Sequence, residues 1–259
     1  MLKRITYSIY TNDINQHTSS NDFKKNQFEK YKVRIEESQI NYAKNCNSEY
    51  KLYTTNNNDY DKIQFEKIFL FEKLLETYDE VLYLDFDVVP QTKKVIFDEF
   101  DLNSICGYSL NRVVTEKKMR NKLARDDFDR MNMFIKTCCK SAMLLLDDIV
   151  GNELLLNTGV LIGNKNSIKK LKFTKNFNKL NKKFKHAVFD NLYPEEINRW
   201  WKPNNEVYMS YLIEKNKVPF TNIGMPWNFM LDDYCPNPSS AAYFLHHIRK
   251  EFELSFNEK

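Results

Sequence analysis

Asp85-Phe86-Asp87 is the stretch of this 259-residue chain whose residue types and spacing best suit chemistry. It closes the apolar run Val81-Leu82-Tyr83-Leu84 and runs into Val88-Val89-Pro90. Read as one strand over 80–90, positions 85 and 87 project to the same side. Two carboxylates then face one space at the C-terminal end of a buried strand, the edge where open α/β sheets bind ligands. Left bare, the two charges repel and one keeps its proton. A hard divalent cation with oxygen ligands removes that conflict. Asp-x-Asp also arises by chance, at strand ends where the acids cap a helix or meet lysines, so its placement after an apolar strand is what gives it weight. Near the other end, His246 and His247 stand side by side in a segment that reads as a strand over 241–248. Strand neighbours point to opposite faces, so only one of the two can join the carboxylates.

The elements that must position these groups alternate in type. Residues 4–11 read as a first strand, rich in β-branched and aromatic residues. A polar helix over about 22–46 follows, with Phe28, Tyr31 and Ile35 on one stripe. A second strand over 49–55, an Asn-rich loop at 56–58 and a helix over 61–77 lead into the 80–90 strand. Its nearly continuous apolar character predicts burial on both faces. Residues 104–110 read as a further strand, and 113–150 as a charged, mostly helical stretch. Residues 154–164 read as a strand interrupted by a turn, 167–185 as one basic helix and 204–216 as another helix. Strand–helix alternation predicts an open α/β sheet with parallel strands. There is no internal repeat and no linker. The lysine-rich stretch 169–185 reads as a solvated helix face that is also available to a substrate.

Composition narrows the class. Apolar residues make up 42%, charged residues 29% and aromatics 14%, which excludes a collagenous or disordered chain. The length suits one α/β domain with a sizeable core. The net charge of +4 is too mild to imply nucleic-acid binding, yet compatible with an anionic small molecule. The five glycines are too scattered for a phosphate-cradling loop. Five cysteines without a framework spacing point to reduced thiols and a cytoplasmic location. No apolar run approaches membrane-spanning length, so no integral membrane segment is expected.

Taken in order, several segments resemble glycosyltransferase family 8 and its GT-A relatives over most of the chain. EKIFLFEKLLETYDEVLYLDFDVV is similar to that family's helix with a basic residue leading into its Y-L-D-x-D strand, and DLNSICGYSL to the strand that follows. LLLNTGVLIGNKNS resembles its F-N-S-G-V-M-L segment, with Thr158 where Ser is usual. NNEVYMSYLI resembles its D-Q-D helix, with Glu206 near an acidic position. MPWNF resembles a strand carrying an Asn, here Asn228, and AAYFLHHIRK the late I-I-H-F strand. The family's G-x-x-K-P-W is absent, and only Arg249 and Lys250 follow.

The resemblance implies an α/β GT-A type single domain, with a Rossmann-like, mostly parallel sheet flanked by helices. Residues 1–259 form it, with about 1–110 binding the nucleotide sugar and about 111–259 on the acceptor side. It implies a glycosyltransferase that moves a hexose from a UDP-sugar to an acceptor, with retention of anomeric configuration. It implies Mn²⁺ or Mg²⁺ held by Asp85, Asp87 and His246, which matches the family position better than His247. Such an ion stabilises charge growing on a diphosphate leaving group. Tyr10 and Thr11 end the first strand, where the family binds the base, and Asp85 also serves the ribose. Lys67 stands near the diphosphate and donor sugar, Lys250 is left as the pyrophosphate contact, and Asn157 contacts the donor sugar. The acceptor, whether glycan, protein or small molecule, has no motif.

Two other readings compete. Asp-x-Asp after an apolar strand also opens Mg²⁺-dependent phosphatases of the haloacid-dehalogenase type. There the motif starts the chain, is followed by Gly-Thr and requires a downstream acidic pair, for which Asp147-Asp148 and Asp232-Asp233 are the candidates. A lysine-rich interaction protein without catalysis is the other. Asp232 or Asp233 would also supply the base if the transfer inverted. Trp200, Trp201 and Trp227 suit a sugar-stacking platform, although burial is the default for Trp.

Overall fold

The computed structural model describes residues 2–11, 19–55, 60–109, 128–152, 154–189, 203–231 and 235–256. They form two compact units. The first is Met1–Tyr108, Thr158–Lys169 and Pro219–Lys259; the second is Ser109–Asn157 and Lys170–Val218.

A six-stranded sheet organises the first unit, in the order β2-β1-β3-β6-β5-β7. β1 (Arg4–Thr11) pairs in parallel with β2 (Glu49–Thr55) and β3 (Glu80–Leu84). β6 (Leu156–Asn164) runs antiparallel to β3, and β7 (Phe220–Asn222) parallel to β5 (Ile105–Ser109). The sheet is therefore mostly parallel and of α/β type. β3 is buried almost throughout, as its unbroken apolar run requires. α1 (Ser19–Asn45) and α2 (Tyr60–Lys73) supply the β1–β2 and β2–β3 crossovers. α1 buries Tyr31, Ile35, Gln39 and Tyr42 at helical spacing. Gln39 is a polar residue on an otherwise apolar stripe.

A second, three-stranded sheet runs β4-β9-β8. β4 (Val88–Pro90) pairs antiparallel with β9 (Phe244–His246), which pairs in parallel with β8 (Phe229–Met230). The strand expected over 80–90 is thus two strands belonging to two sheets. The break has a cause. The Val88 amide donates to the Asp85 carbonyl at 2.9 Å, closing a turn, and Gln39 Nε2 donates to the Asp85 and Val88 carbonyls at 3.1 and 2.8 Å. Backbone groups that a strand would pair laterally are satisfied inside the turn.

Other boundaries shift for local reasons. β6 is continuous, where a turn was expected. Gly163 lets it lie against α5 (Lys165–Leu171), since a Cβ there would come within 2.8 Å of Ser167 Oγ. The basic stretch is two helices, α5 and α6 (Phe173–Phe189), separated by Lys172 at φ 53°, in the left-handed region that ends helices. β7 is only three residues long, too short to show a period.

The second unit is helical. α4 (Phe128–Leu145), α6 and α7 (Asn205–Lys215) build it. Asn204 caps α7, its side-chain oxygen accepting from the amides of Glu206 and Val207 at 2.9 and 3.3 Å. Among the described residues, no helix is long and apolar enough to cross a membrane.

Candidate metal centre

The β3–β4 turn puts Asp85 and Asp87 at its first and third positions, and both carboxylates reach the same point. The Asp85 amide donates to the Gly159 carbonyl at 2.7 Å, so the turn's entry is fixed by β6. Its exit is fixed by the second sheet: Val88 lies opposite His246, and the His247 amide donates to the Asp87 carbonyl at 2.9 Å. That antiparallel register carries His246 across 160 residues of sequence to the carboxylates. His246 Nε2 lies 3.8 Å from Asp85 Oδ2 and 3.5 Å from Asp87 Oδ1. One ligand atom from each of the three residues falls within 4.8 Å of the others.

His246 Nδ1 lies 2.8 Å from Asn228 Oδ1, both side chains being buried. An amide oxygen only accepts, so Nδ1 carries the proton and Nε2 presents its lone pair to the carboxylates. This is the arrangement by which a second group orients a metal-ligating imidazole. His247 points elsewhere. Its Nε2 lies 2.6 Å from Ser255 Oγ, its ring packs 5.0 Å from Phe252, and burial pushes its pKa down to about 4.

Each carboxylate also has a lysine. Lys67 Nζ, from α2, donates to Asp85 Oδ1 at 3.0 Å and to the Thr158 carbonyl at 3.3 Å. Lys250 Nζ donates to Asp87 Oδ2. The backbone of Lys250 is left-handed, at φ 64°, in a turn closed by its amide on the His247 carbonyl at 3.0 Å. Tyr83 OH donates to Asp85 Oδ1 at 2.5 Å, and burial, then Asp85, raise its pKa so that it stays a donor. Burial of Asp87 would raise its pKa, but the Lys250 ammonium outweighs that and holds the carboxyl ionised, well below the usual range.

Two carboxylates and two ammonium groups make this cluster close to neutral. Two hard oxygen donors and an imidazole with a fixed tautomer fit Mn²⁺ or Mg²⁺. The same amines would meet any anion that arrives with such an ion.

Of the site residues expected from sequence, Asp85, Asp87, His246, Lys67 and Lys250 come together. Tyr10 lies behind them, buried, its ring 4.8 Å from Phe86 and 6.1 Å from Phe28, with Lys32 Nζ 4.3 Å from its ring centroid. Thr11 is half-buried at the end of β1. Asn157 belongs to the second unit, where Nδ2 donates to Glu206 Oε1 at 3.0 Å and Glu206 Oε2 pairs with Lys136 at 2.5 Å. Trp227 is core, its ring against Phe100, Tyr243 and Phe244. Asp147 is engaged by Lys183, Lys215 and Tyr211. Trp200, Trp201, Asp232, Asp233 and the 56–58 loop lie outside the described residues. Gln39 and Tyr83 were not foreseen. The signal for Gln39 was its place on an apolar stripe; Tyr83 carried none.

No family model matches the chain, and no curated protein matches it in sequence. Solved structures do. A glycosyltransferase involved in glycosylation of the major capsid of PBCV-1 is 13% identical, with 96% of this chain and 98% of that one covered at a TM-score of 0.52. The galactosyltransferase LgtC in complex with donor and acceptor sugar analogs is 10% identical, over 94% and 86%, at 0.48. Mouse xyloside xylosyltransferase 1 is 11% identical, over 96% and 98%, at 0.47. The chain has the GT-A glycosyltransferase fold, as the first of these likenesses shows.

Proposed function

We propose that this protein is a metal-dependent glycosyltransferase that moves a hexose from a UDP-sugar to an acceptor hydroxyl, with retention at the anomeric carbon. The observation that carries the reading is the convergence of Asp85, Asp87 and His246 on one point, with Lys67 and Lys250 at its rim. A divalent ion bound there supplies charge stabilisation to the departing diphosphate, an effect worth several kcal/mol.

The chain's own groups do the rest. Asp85 and Asp87 would hold the ion, and Asn228 keeps His246 in the tautomer that could join them. Lys67 and Lys250, paired with Asp85 and Asp87, are the ammonium groups that would meet the diphosphate oxygens of a donor bound there. The near-neutral balance has a consequence: an ion alone leaves the cluster doubly positive, whereas an ion arriving with a diphosphate does not. Metal and nucleotide therefore bind together. Asn157, oriented by Glu206, steadies the donor sugar. Tyr10 and Thr11 serve the base end of the donor. The leaving diphosphate takes the acceptor proton on the same face, so no protein nucleophile is required.

Calorimetric titration of UDP with and without Mn²⁺ tests the binding half. Clear binding that needs both is expected; UDP affinity indifferent to Mn²⁺ would sink the proposed centre. NMR of the first product formed from an α-linked UDP-hexose tests the chemistry. An α-linkage is expected, and a β-linkage refutes retention.

A further inference from the structure

α6 faces two environments. Phe173, Leu180, Phe184 and Ala187 are buried. The rings of Phe177 and Phe184 lie 6.3 and 6.0 Å from Tyr208, whose hydroxyl donates to Asn181 at 2.8 Å. Lys183 Nζ pairs with Asp147 at 2.6 Å. The apolar side of the helix is thus used up inside the second unit.

The opposite side carries Lys175, Lys179, Lys182 and Lys185, all exposed. At about 100° and 1.5 Å per residue they fall within roughly 120° of arc and extend about 15 Å along the axis. Lys183 is the only lysine of this helix ion-paired with a described residue. Residues 165–189 hold nine lysines and no acidic residue, so the rest of the chain is net negative by five. The overall charge of +4 is thus the sum of this acid-free basic segment and a net-negative remainder. Like charges at these spacings weaken a helix, and an ordinary solvated face mixes both signs.

The shape of this charge selects the partner. Four lysines in a straight line on a convex helix form no concavity, so a small anion would meet one or two of them. A broad anionic surface engages all four. The exposed residues around them, Thr174, Asn178 and His186, include one imidazole and no Phe, Tyr or Trp, whereas single-stranded nucleic-acid binders stack successive bases on several aromatic rings. Among the residues of this face whose exposure is described, none is an exposed apolar side chain that would insert among acyl chains. We propose that the α6 lysine face docks the protein peripherally on an anionic lipid bilayer, contacting headgroup phosphates without insertion.

Co-sedimentation with vesicles of one-third phosphatidylglycerol in phosphatidylcholine tests this. The native chain should pellet with them at about 0.1 M salt, come off at about 0.5 M as the Debye length shortens, and ignore pure phosphatidylcholine. Lys175→Gln/Lys179→Gln/Lys182→Gln should bind about a hundredfold more weakly, from about 1 kcal/mol per lysine at such a surface. The triple Arg replacement should bind like the native chain, and circular dichroism melting should confirm that both variants fold. Lys3→Gln/Lys44→Gln/Lys73→Gln removes the same charge from exposed sites elsewhere and should bind normally. Equal weakening by the two Gln triples, equal binding to neutral vesicles, or binding to single-stranded RNA without binding to vesicles would overturn the proposal.

Discussion

Both units bury charged side chains, yet in different arrangements. Among the described residues of the second unit, Glu206, Glu214 and Asp147 are each ion-paired with lysine, Asp147 with two. Glu214 meets Lys140, whose side chain is fully buried and also donates to the Asn152 and Leu154 carbonyls, each at 2.6 Å. Burial pulls the Lys140 pKa down while Glu214 opposes it. Asp147 is shared by Lys183, Lys215 and Tyr211. In the first unit two carboxylates are forced onto one point and an imidazole lone pair is aimed at them. Among the described residues this is the one place where three metal-ligating side chains meet. The contrast teaches that buried charge alone does not mark a centre. Lysine pairing is common to both units; what the first adds is two carboxylates converging with an uncommitted imidazole nitrogen, which leaves a valence for an ion.

That contrast can be broken from either side. The largest effect should come from Asp87→Ala, which removes a ligand and strands Lys250. Turnover should fall a thousandfold or more, an effect of at least about 4 kcal/mol on the barrier, in a protein that still melts cooperatively. Near-normal turnover would mean that the ion is held elsewhere.

Lys140→Met addresses the other unit. Removing one partner of a buried pair leaves Glu214 uncompensated, at a cost of about 3–5 kcal/mol. Urea unfolding should show it as a lower midpoint. A midpoint within error of the native one would mean that Lys140 adds little to the second unit.

Asn228→Leu should leave the fold standing and free the His246 tautomer. Metal affinity in the presence of UDP should drop by roughly 10–100-fold, the usual cost of losing such a support. His247→Gln, on the opposite face, should leave metal affinity unchanged. Reversed outcomes would shift the ligand by one residue.

Lys250→Met sharpens the charge argument. Without nucleotide, Mn²⁺ should bind about tenfold more tightly, because its competitor for Asp87 is gone. With nucleotide the gain should vanish, so the coupling between the two ligands weakens. Unchanged Mn²⁺ affinity in the absence of nucleotide would remove Lys250 as a counter-ion.

The smallest effect concerns pH. Burial would raise the Asp147 pKa, but hydrogen bonds from Lys183, Lys215 and Tyr211 bring it to about 2 against an ordinary 3.8. A depressed carboxyl stabilises the fold above its unfolded pKa and loses that stability as pH falls through its folded one. Stability should therefore decline between about pH 4 and pH 2, and Asp147→Asn should flatten that part of the profile.

The amino-acid order by itself determined the α/β alternation, the buried third strand and the candidacy of Asp85 and Asp87. It did so because apolar periodicity and the placement of two acids after an apolar run are local properties. It also brought out Lys67, Lys250 and the His246–His247 pair as residues worth following. What it misread was equally local. A continuous apolar run over 80–90 hides a turn, since nothing in Val88-Val89-Pro90 announces a change of sheet. Only the tertiary structure decided that turn, because its hydrogen bonds come from Gln39, 46 residues away from Asp85. Only the antiparallel register of β4 and β9 decided which histidine meets the carboxylates. Only the Asn228 contact decided which imidazole nitrogen is free. Register and tautomer depend on partners distant in sequence, and no periodicity within a single segment can encode them.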